Sequence, residues 1–177
     1  MQAAHWAPSL SAELLAAAAF AALAAGGATS GFAAAQYWLA ACGVALALID
    51  LAVQRLPNVL TAPACAGTIL LLAGAALASE PGSLGRAAAG AGAVTAVFLL
   101  LPLTAGMGLG DVKLAPAIGA LLGWHGWTSL WWGALAGFLI GGVCGVALLA
   151  TGRHRRAQVA FGPFMLIGAL AVFATSG

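Results

Sequence analysis

Charged residues are almost absent from this chain, and their scarcity restricts what it can fold into. Lys, Arg, Asp and Glu together make up 6% of its 177 residues, whereas hydrophobic residues make up 63%. A soluble domain has roughly a quarter of its residues charged, so this chain lacks the charges for a water-facing surface. We therefore predict an integral membrane protein whose outer surface is covered mostly by lipid.

Seven apolar runs, bounded by glycine, proline or charge, predict membrane helices. A helix needs roughly 20 residues to cross the hydrocarbon core. The run at 112–124 is short for a crossing, but it follows a Gly-rich loop that we expect to be recessed in the membrane. The prediction is an all-α polytopic bundle of six to seven transmembrane helices in a single domain, 1–177, with 1–30 as an extra N-terminal span that is retained. The other six runs lie near 11–29, 33–53, 60–78, 87–104, 128–150 and 160–176.

The distribution of cations predicts the orientation of the bundle. With seven spans, the loops at 54–58, 105–113 and 151–158 share one side and hold five of the six Lys and Arg residues. Cytoplasmic loops carry such an excess, so this side is predicted to be cytoplasmic. Six aromatic residues near the opposite boundary fit a belt at the outer interface: Tyr37, Trp38, Trp124, Trp127, Trp131 and Trp132.

Charge and cysteine usage exclude several kinds of partner. The net charge of +2 is too small to indicate nucleic-acid binding. Cys42, Cys65 and Cys144 are far apart and form no CxxC pair, so neither a zinc site nor any other metal site is expected. No cofactor is predicted.

Asp50 is an unusual residue for its place in the sequence. The chain has four carboxylates, and solvation explains Glu13 at a membrane boundary and Glu80 in an outer loop. Asp50 lies near the cytoplasmic end of an apolar run, where a carboxylate costs about 3 kcal/mol unless it faces a polar cavity or a partner. The alternative is a boundary residue paired with Arg55.

Asp111 ends the segment GMGLGD, in which Gly106, Gly108 and Gly110 alternate with other residues. Unwound backbone at membrane depth is tolerated only where it is buried in protein or lines a wet cavity. Asp111 is therefore predicted to meet water inside the bundle. The alternative is a plain Gly-rich turn in the cytoplasm.

Two aspartates on one side of a bundle predict a catalytic pair. Close like charges cannot both ionise readily, so the two carboxyl groups share a proton. One then acts as a general acid while the other, as base, activates water. His5, His125 and His154 offer no competing nucleophilic site, because they lie in terminal or loop positions without a Ser or Cys partner.

Three motifs resemble those of type IV prepilin peptidases. In the first, Asp50 is followed seven residues later by Pro57 and then Asn58. The second is GxGD followed by x-Lys-Leu, here 108–114, and the third is FGPF, here 161–164. Their order and spacing make the resemblance specific, and it covers about residues 33–176.

The resemblance implies a GxGD-type aspartic endopeptidase that removes the leader peptide from type IV prepilin-like precursors at the cytoplasmic face of a bacterial inner membrane. It implies that Asp50 and Asp111 are catalytic, that 31–177 forms the catalytic core, and that the partners are a membrane-inserted pilin precursor and the lipid bilayer. The oligomeric state stays open. Residues expected to shape the site or bind substrate are Arg55, Pro57, Asn58, Gly108, Gly110, Lys113, Gly162 and Pro163.

The chain also departs from the larger members of that family. Those members carry a cysteine-rich insertion with paired CxxC motifs that is associated with N-methylation, and this sequence has none. It is similar to the small, peptidase-only type that serves Flp/Tad-like pili, so methyltransferase activity is not expected. A different class of function stays open on the residues alone, namely a small transporter in which the two aspartates relay protons or cations.

Overall fold

The described residues of the chain form seven α-helices and no strand. The structure is a computed structural model that describes residues 7–27, 30–53, 56–105, 110–150 and 161–175. The predicted all-α bundle is confirmed, and each helix coincides with one of the seven apolar runs. The helices are α1 (Ala7–Ala25), α2 (Gly31–Val53), α3 (Asn58–Leu77), α4 (Leu84–Ala105), α5 (Gly110–His125), α6 (Trp127–Ala150) and α7 (Gly162–Thr175).

Successive helices run in alternating directions, so the bundle has two ends. One end, called here the aspartate end, contains Asp50 at the last turns of α2 and Asp111 at the start of α5. At the opposite end the ring of Phe32 from α2 lies 6.3 Å from that of Trp124 and 5.9 Å from that of Phe173. Lys113, on α5, also belongs to the aspartate end, whereas the other four cations predicted on the same side (Arg55, Arg153, Arg155 and Arg156) lie outside the described residues.

Helix α5 is the centre of the bundle. Nearly all of its residues between Leu114 and Trp124 are buried, and both of those residues are no more than 1% exposed. With 16 residues it extends about 24 Å. A helix enclosed by other helices needs no lipid-facing surface, which explains why the shortest predicted span has the most complete burial.

Glycines allow α4 and α5 to pack backbone to backbone. A Cβ on Gly90 of α4 would collide with the carbonyl oxygen of Gly119 in α5, and a Cβ on Gly119 would collide with that of Gly90. Small residues that permit such close approach are a common basis of helix association in membranes. This contact fixes the middle of α5 against α4.

Four helices in the described part of the chain are long and apolar enough to cross a membrane, and Ala12–Ala25 and Gly162–Thr175 are shorter apolar helices. Large apolar side chains such as Trp131, which is 74% exposed, cover the outside of the bundle. Both findings fit a multi-pass membrane protein. The four long helical segments are Gly31–Asp50, Asn58–Leu77, Leu84–Leu101 and Trp127–Ala147.

Three residues at the opposite end differ from the sequence-based expectation. His125 was expected in a loop without a Ser partner, but it is the last residue of α5 and its Nδ1 lies 2.7 Å from Ser129 Oγ. Trp124 was expected in an outer aromatic belt, but it is only 1% exposed because its ring packs against Phe32 and Gly82. Glu80 was expected to be merely solvated, yet its carboxylate accepts hydrogen bonds from the backbone N–H groups of Gly31 and Phe32, the latter at 2.8 Å. Glu80 therefore caps the N-terminus of α2.

Candidate active site

Asp50 reaches the interior from the last turns of α2. Its side chain is 5% exposed, and its Oδ2 is buried without a hydrogen-bond donor among the described residues. A buried polar atom of this kind normally has a partner, in the protein or in ordered water. Asp50 therefore presents an oxygen that is available to a group arriving in the site.

Asp111 is the second residue of α5 and is also 5% exposed. Its Oδ1 accepts a hydrogen bond from the backbone N–H of Gly162 at 2.9 Å, and its Oδ2 accepts one from that of Phe161 at 3.2 Å. Both donors belong to the start of α7, where the helix dipole favours negative charge. The carboxylate of Asp111 is therefore held at both of its oxygens by the start of α7.

The FGPF sequence explains why α7 begins at this point. Gly162 and Pro163 are the first two residues of the helix, and proline is tolerated there because the N–H that it lacks would have no intrahelical acceptor. The N–H groups of Phe164 and Met165 both donate to the carbonyl of Phe161 at 3.1 Å. The N–H groups of Phe161 and Gly162 remain free for Asp111.

Gly162 is also where the two aspartates meet. A Cβ built on Gly162 would lie 3.3 Å from Oδ1 of Asp111 and 3.4 Å from Oδ2 of Asp50. The two oxygens are therefore no further apart than the sum of those distances. A side chain at this position would be tight against Asp111, whose carboxylate would have to shift by a few tenths of an ångström, and would touch Asp50. Like charges this close and this buried repel each other if both are ionised.

A second polar contact joins the beginnings of α3 and α5 beside the two aspartates. Lys113 Nζ donates to Asn58 Oδ1 at 2.6 Å, and both side chains are exposed. Pro57, with φ −71° and ψ 132°, is extended and precedes the first residue of α3. The contact links the helix that follows Asp50 to the helix that contains Asp111.

The predicted site residues fall into three groups. Asp50, Asp111 and Gly162 come together, with Gly110 and Pro163 next to them in the chain. Pro57, Asn58 and Lys113 form the neighbouring contact. Arg55 and Gly108 lie outside the described residues, and so does the alternative pairing of Asp50 with Arg55.

The sequence analysis missed the part that Phe161 plays. Its backbone N–H holds Asp111, and its ring packs 5.4 Å from that of Phe138 and 5.8 Å from that of Phe98. The signal was available, since Pro163 marks a helix start whose preceding N–H groups are free to bind an anion. Within the described residues, no cluster of three His, Cys, Asp or Glu side chains has the arrangement of a metal site.

Comparison with known proteins agrees with this geometry. Residues 37–150, which include both aspartates, match the model of the type IV leader peptidase family. The chain belongs to that family. No solved structure matches it.

The curated relatives that match this chain are larger than the chain itself. The chain is 38% identical over 134 residues to the prepilin leader peptidase/N-methyltransferase of Aeromonas hydrophila. The aligned region covers 70% of this chain and 43% of that protein. The protein of the same name from Xanthomonas campestris pv. campestris is 35% identical over 73% of this chain and 46% of its own length. The protein of that name from Burkholderia pseudomallei is 34% identical over 80% of this chain and 46% of its own length. The chain thus spans less than half the length of these relatives.

Proposed function

We propose that this protein is an aspartic endopeptidase that removes the leader peptide from type IV prepilin-like precursors, with Asp50 and Asp111 activating a water molecule. The observation that carries the proposal is the convergence of both carboxylates on Gly162. Membership of the leader peptidase family and the names of the relatives support the same reaction. The substrate would be a membrane-inserted peptide with a charged leader followed by an apolar helix.

In the proposed mechanism the two carboxyl groups hold one proton between them. Water bound between them loses a proton to the ionised carboxylate as its oxygen attacks the scissile carbonyl carbon. The protonated carboxyl gives its proton to the carbonyl oxygen. The C–N bond of the tetrahedral intermediate then breaks as the amine takes the proton that came from water, while a hydroxyl of the intermediate returns its proton to the other carboxylate, so that the pair again holds one proton. The reaction needs neither a metal nor a covalent intermediate.

The two aspartates have different surroundings, and this supports different contributions. The oxygens of Asp111 are engaged by two backbone donors, so this carboxylate is positioned before substrate arrives. Oδ2 of Asp50 accepts no hydrogen bond from the described residues, which leaves it available to water. We propose that Asp111 is the fixed member of the pair and that Asp50 makes the first contact with water.

The remaining predicted residues would shape the site or contact the substrate. Asn58 and Lys113 would hold the starts of α3 and α5 together, and Pro57 would fix the turn between α2 and α3. Gly108 and Gly110 would let the backbone before Asp111 turn into the membrane, and Arg55 would remain near the exit of α2. Gly162 and Pro163 would set the geometry at the start of α7.

The proposal places cleavage at the cytoplasmic face of a bacterial inner membrane, because Asp50 and Asp111 adjoin sequence segments that carry most of the cations, as cytoplasmic loops do. Residues 31–177 would then form the catalytic core. Helix α1 would be an addition to it, packed at the opposite end where Gly26 lies against the backbone of Phe173. Methyl transfer is not part of the proposed function, and the transporter hypothesis gains no support from relatives that are named as peptidases.

The direct test is to express the full chain with a pilin precursor in a host that lacks its own leader peptidase, and to follow leader removal by gel shift. Wild-type protein should convert the precursor. Asp50→Asn and Asp111→Asn should each abolish conversion although the protein remains in the membrane fraction. Full processing by either variant would refute the mechanism, and aspartate-dependent proton flux in liposomes without processing would favour the transporter instead.

A further inference from the structure

An apolar cavity of about 180 Å³ opens between α4 and α6. It is called here the α4–α6 groove. Helices α4 and α6 form its walls, while residues of α5 and the start of α7 form its floor. The residues that matter most below are Ala93, Val97 and Phe98 on α4, Ala134 and Phe138 on α6, and Phe161.

The groove reaches the candidate active site through Phe161. The ring of Phe161 lines the groove and packs against those of Phe98 and Phe138, with centroids 5.8 and 5.4 Å away. The backbone N–H of the same residue donates to Asp111. One residue therefore belongs both to the lining of the groove and to the contacts that hold Asp111.

The mouth of the groove opens toward the surrounding membrane. Val97 on α4 is 44% exposed and Trp131 on α6 is 74% exposed, and both line the cavity. The two walls are among the helices that are long and apolar enough to cross a membrane. A helix that is already embedded in lipid can therefore reach the groove sideways without leaving the membrane.

The size of the groove restricts what it can hold. A cavity of about 150 Å³ lined by aliphatic and aromatic residues accommodates one benzene molecule. The present cavity thus has room for one or two large apolar side chains and not for a whole helix. This matches recognition in which a helix lies across a groove and inserts anchor residues from one face.

We propose that the α4–α6 groove docks the apolar helix of the precursor, which lies between α4 and α6 and inserts large apolar side chains above Phe161. This inference rests on the proposed function. The precursor is favoured over a lipid acyl chain because the groove ends at the residue that holds Asp111. Docking there would anchor the substrate while its leader junction reaches the aspartates.

Two matched substitutions on α4 test the docking. Ala93 and Ala96 are both exposed alanines of the same helix, but only Ala93 is among the residues that line the cavity. Ala93→Trp fills the groove, whereas Ala96→Trp adds the same bulk elsewhere on the helix. With purified full-length enzyme and precursor in detergent micelles, Ala93→Trp should raise KM by roughly tenfold or more, and Ala96→Trp should leave KM within about twofold of the wild type.

A second measurement does not depend on filling the groove. Val97 and Leu135 are 44% and 45% exposed, and Leu135 is not among the lining residues. Each is replaced by the photoreactive residue p-benzoylphenylalanine in the Asp111→Asn background, which leaves the precursor uncut. Irradiation should crosslink the precursor to position 97 and not to position 135.

The outcomes separate the two proposals. If the wild type does not process the precursor, the proposed function fails. If the wild type is active but Ala93→Trp and Ala96→Trp behave alike and position 97 crosslinks lipid only, the docking proposal alone is overturned. A raised KM specific to Ala93→Trp together with a crosslink specific to position 97 supports it.

Discussion

Two helices of this protein begin at a carboxylate that comes from a distant part of the chain. At the opposite end, Glu80 accepts hydrogen bonds from the first backbone N–H groups of α2. At the aspartate end, Asp111 accepts hydrogen bonds from Phe161 and Gly162 at the start of α7. In both places an acidic side chain satisfies donors that a helix cannot satisfy itself.

The surroundings of the two carboxylates differ in ways that separate a structural role from a chemical one. Asp111 is buried, and the carboxylate of Asp50 lies next to it across Gly162. Glu80 lies in the partly exposed turn between α3 and α4, and it is hydrogen-bonded to the first N–H groups of α2 and to the side chain of Ser30. A capping carboxylate by itself positions a helix. A second buried carboxylate beside it is the feature on which the proposed proton transfer rests.

Exchanging each capping carboxylate for its amide should have the largest effect at the aspartate end. Asp111→Asn retains the size of the side chain but removes the exchangeable proton, so the rate of leader removal should fall by at least about a hundredfold. Glu80→Gln makes the same chemical change at the other cap and should keep processing within about twofold. Equal losses in the two variants would mean that capping, and not the acid pair, determines activity.

Gly162→Ala should have the next largest effect. The new methyl group would lie 3.3 Å from Oδ1 of Asp111 and 3.4 Å from Oδ2 of Asp50, so the Asp111 carboxylate would have to shift and kcat should fall by about tenfold. Gly74→Ala is the control, because a Cβ on this helical glycine of α3 meets no neighbouring atom. Unchanged kcat in Gly162→Ala would show that the separation of the carboxylates is not critical.

The contact between Asn58 and Lys113 should have a smaller effect. Asn58→Ala removes the acceptor and loosens the start of α3 relative to α5, so we expect about a threefold to tenfold loss of kcat. Asn58→Asp restores an acceptor for Lys113 and should recover most of that loss. If Asn58→Asp is as impaired as Asn58→Ala, the contact does not act through Lys113.

The smallest effect should be the change in stability at the Glu80 cap. The hydrogen bond from the Phe32 N–H lowers the pKa of the Glu80 carboxyl, so its ionised form stabilises the fold at neutral pH. That contribution is lost as the pH falls below the ordinary pKa of a glutamate and through the lowered one. Glu80→Gln should therefore lower Tm slightly at pH 7 in detergent, and the difference from wild type should shrink near pH 3. A difference that grows in acid would contradict this account.

Most of the fold could be predicted from the sequence because hydropathy determines where membrane helices lie. The seven apolar runs became α1 to α7, including the short 112–124 run that forms α5. Hydropathy does not reveal which helix is central or which aromatic residue faces inward. The burial of α5 and of Trp124 follows from packing at Gly90, Gly119 and Gly82, which is a property of pairs of helices.

The residues of the candidate site could be predicted where their residue type is unusual for a membrane helix or belongs to a motif. Asp50 and Asp111 stood out because carboxylates are rare in such a chain, and the motif positions marked Gly162. Phe161 and Glu80 did not stand out, since one acts through its backbone N–H and the other resembles an ordinary loop acid. Interactions made by main-chain atoms depend on which helix ends meet, and a single sequence does not specify this.

The attachment of Asp111 to α7 also determines when the acid pair can form. Asp111 is synthesised 50 and 51 residues before the two backbone groups that hold it. During translation it therefore enters the membrane without its donors, and only the arrival of α7 completes its surroundings. Assembly of the pair is thus coupled to insertion of a later helix, and a ribosome-bound chain that ends before residue 161 would lack a positioned Asp111.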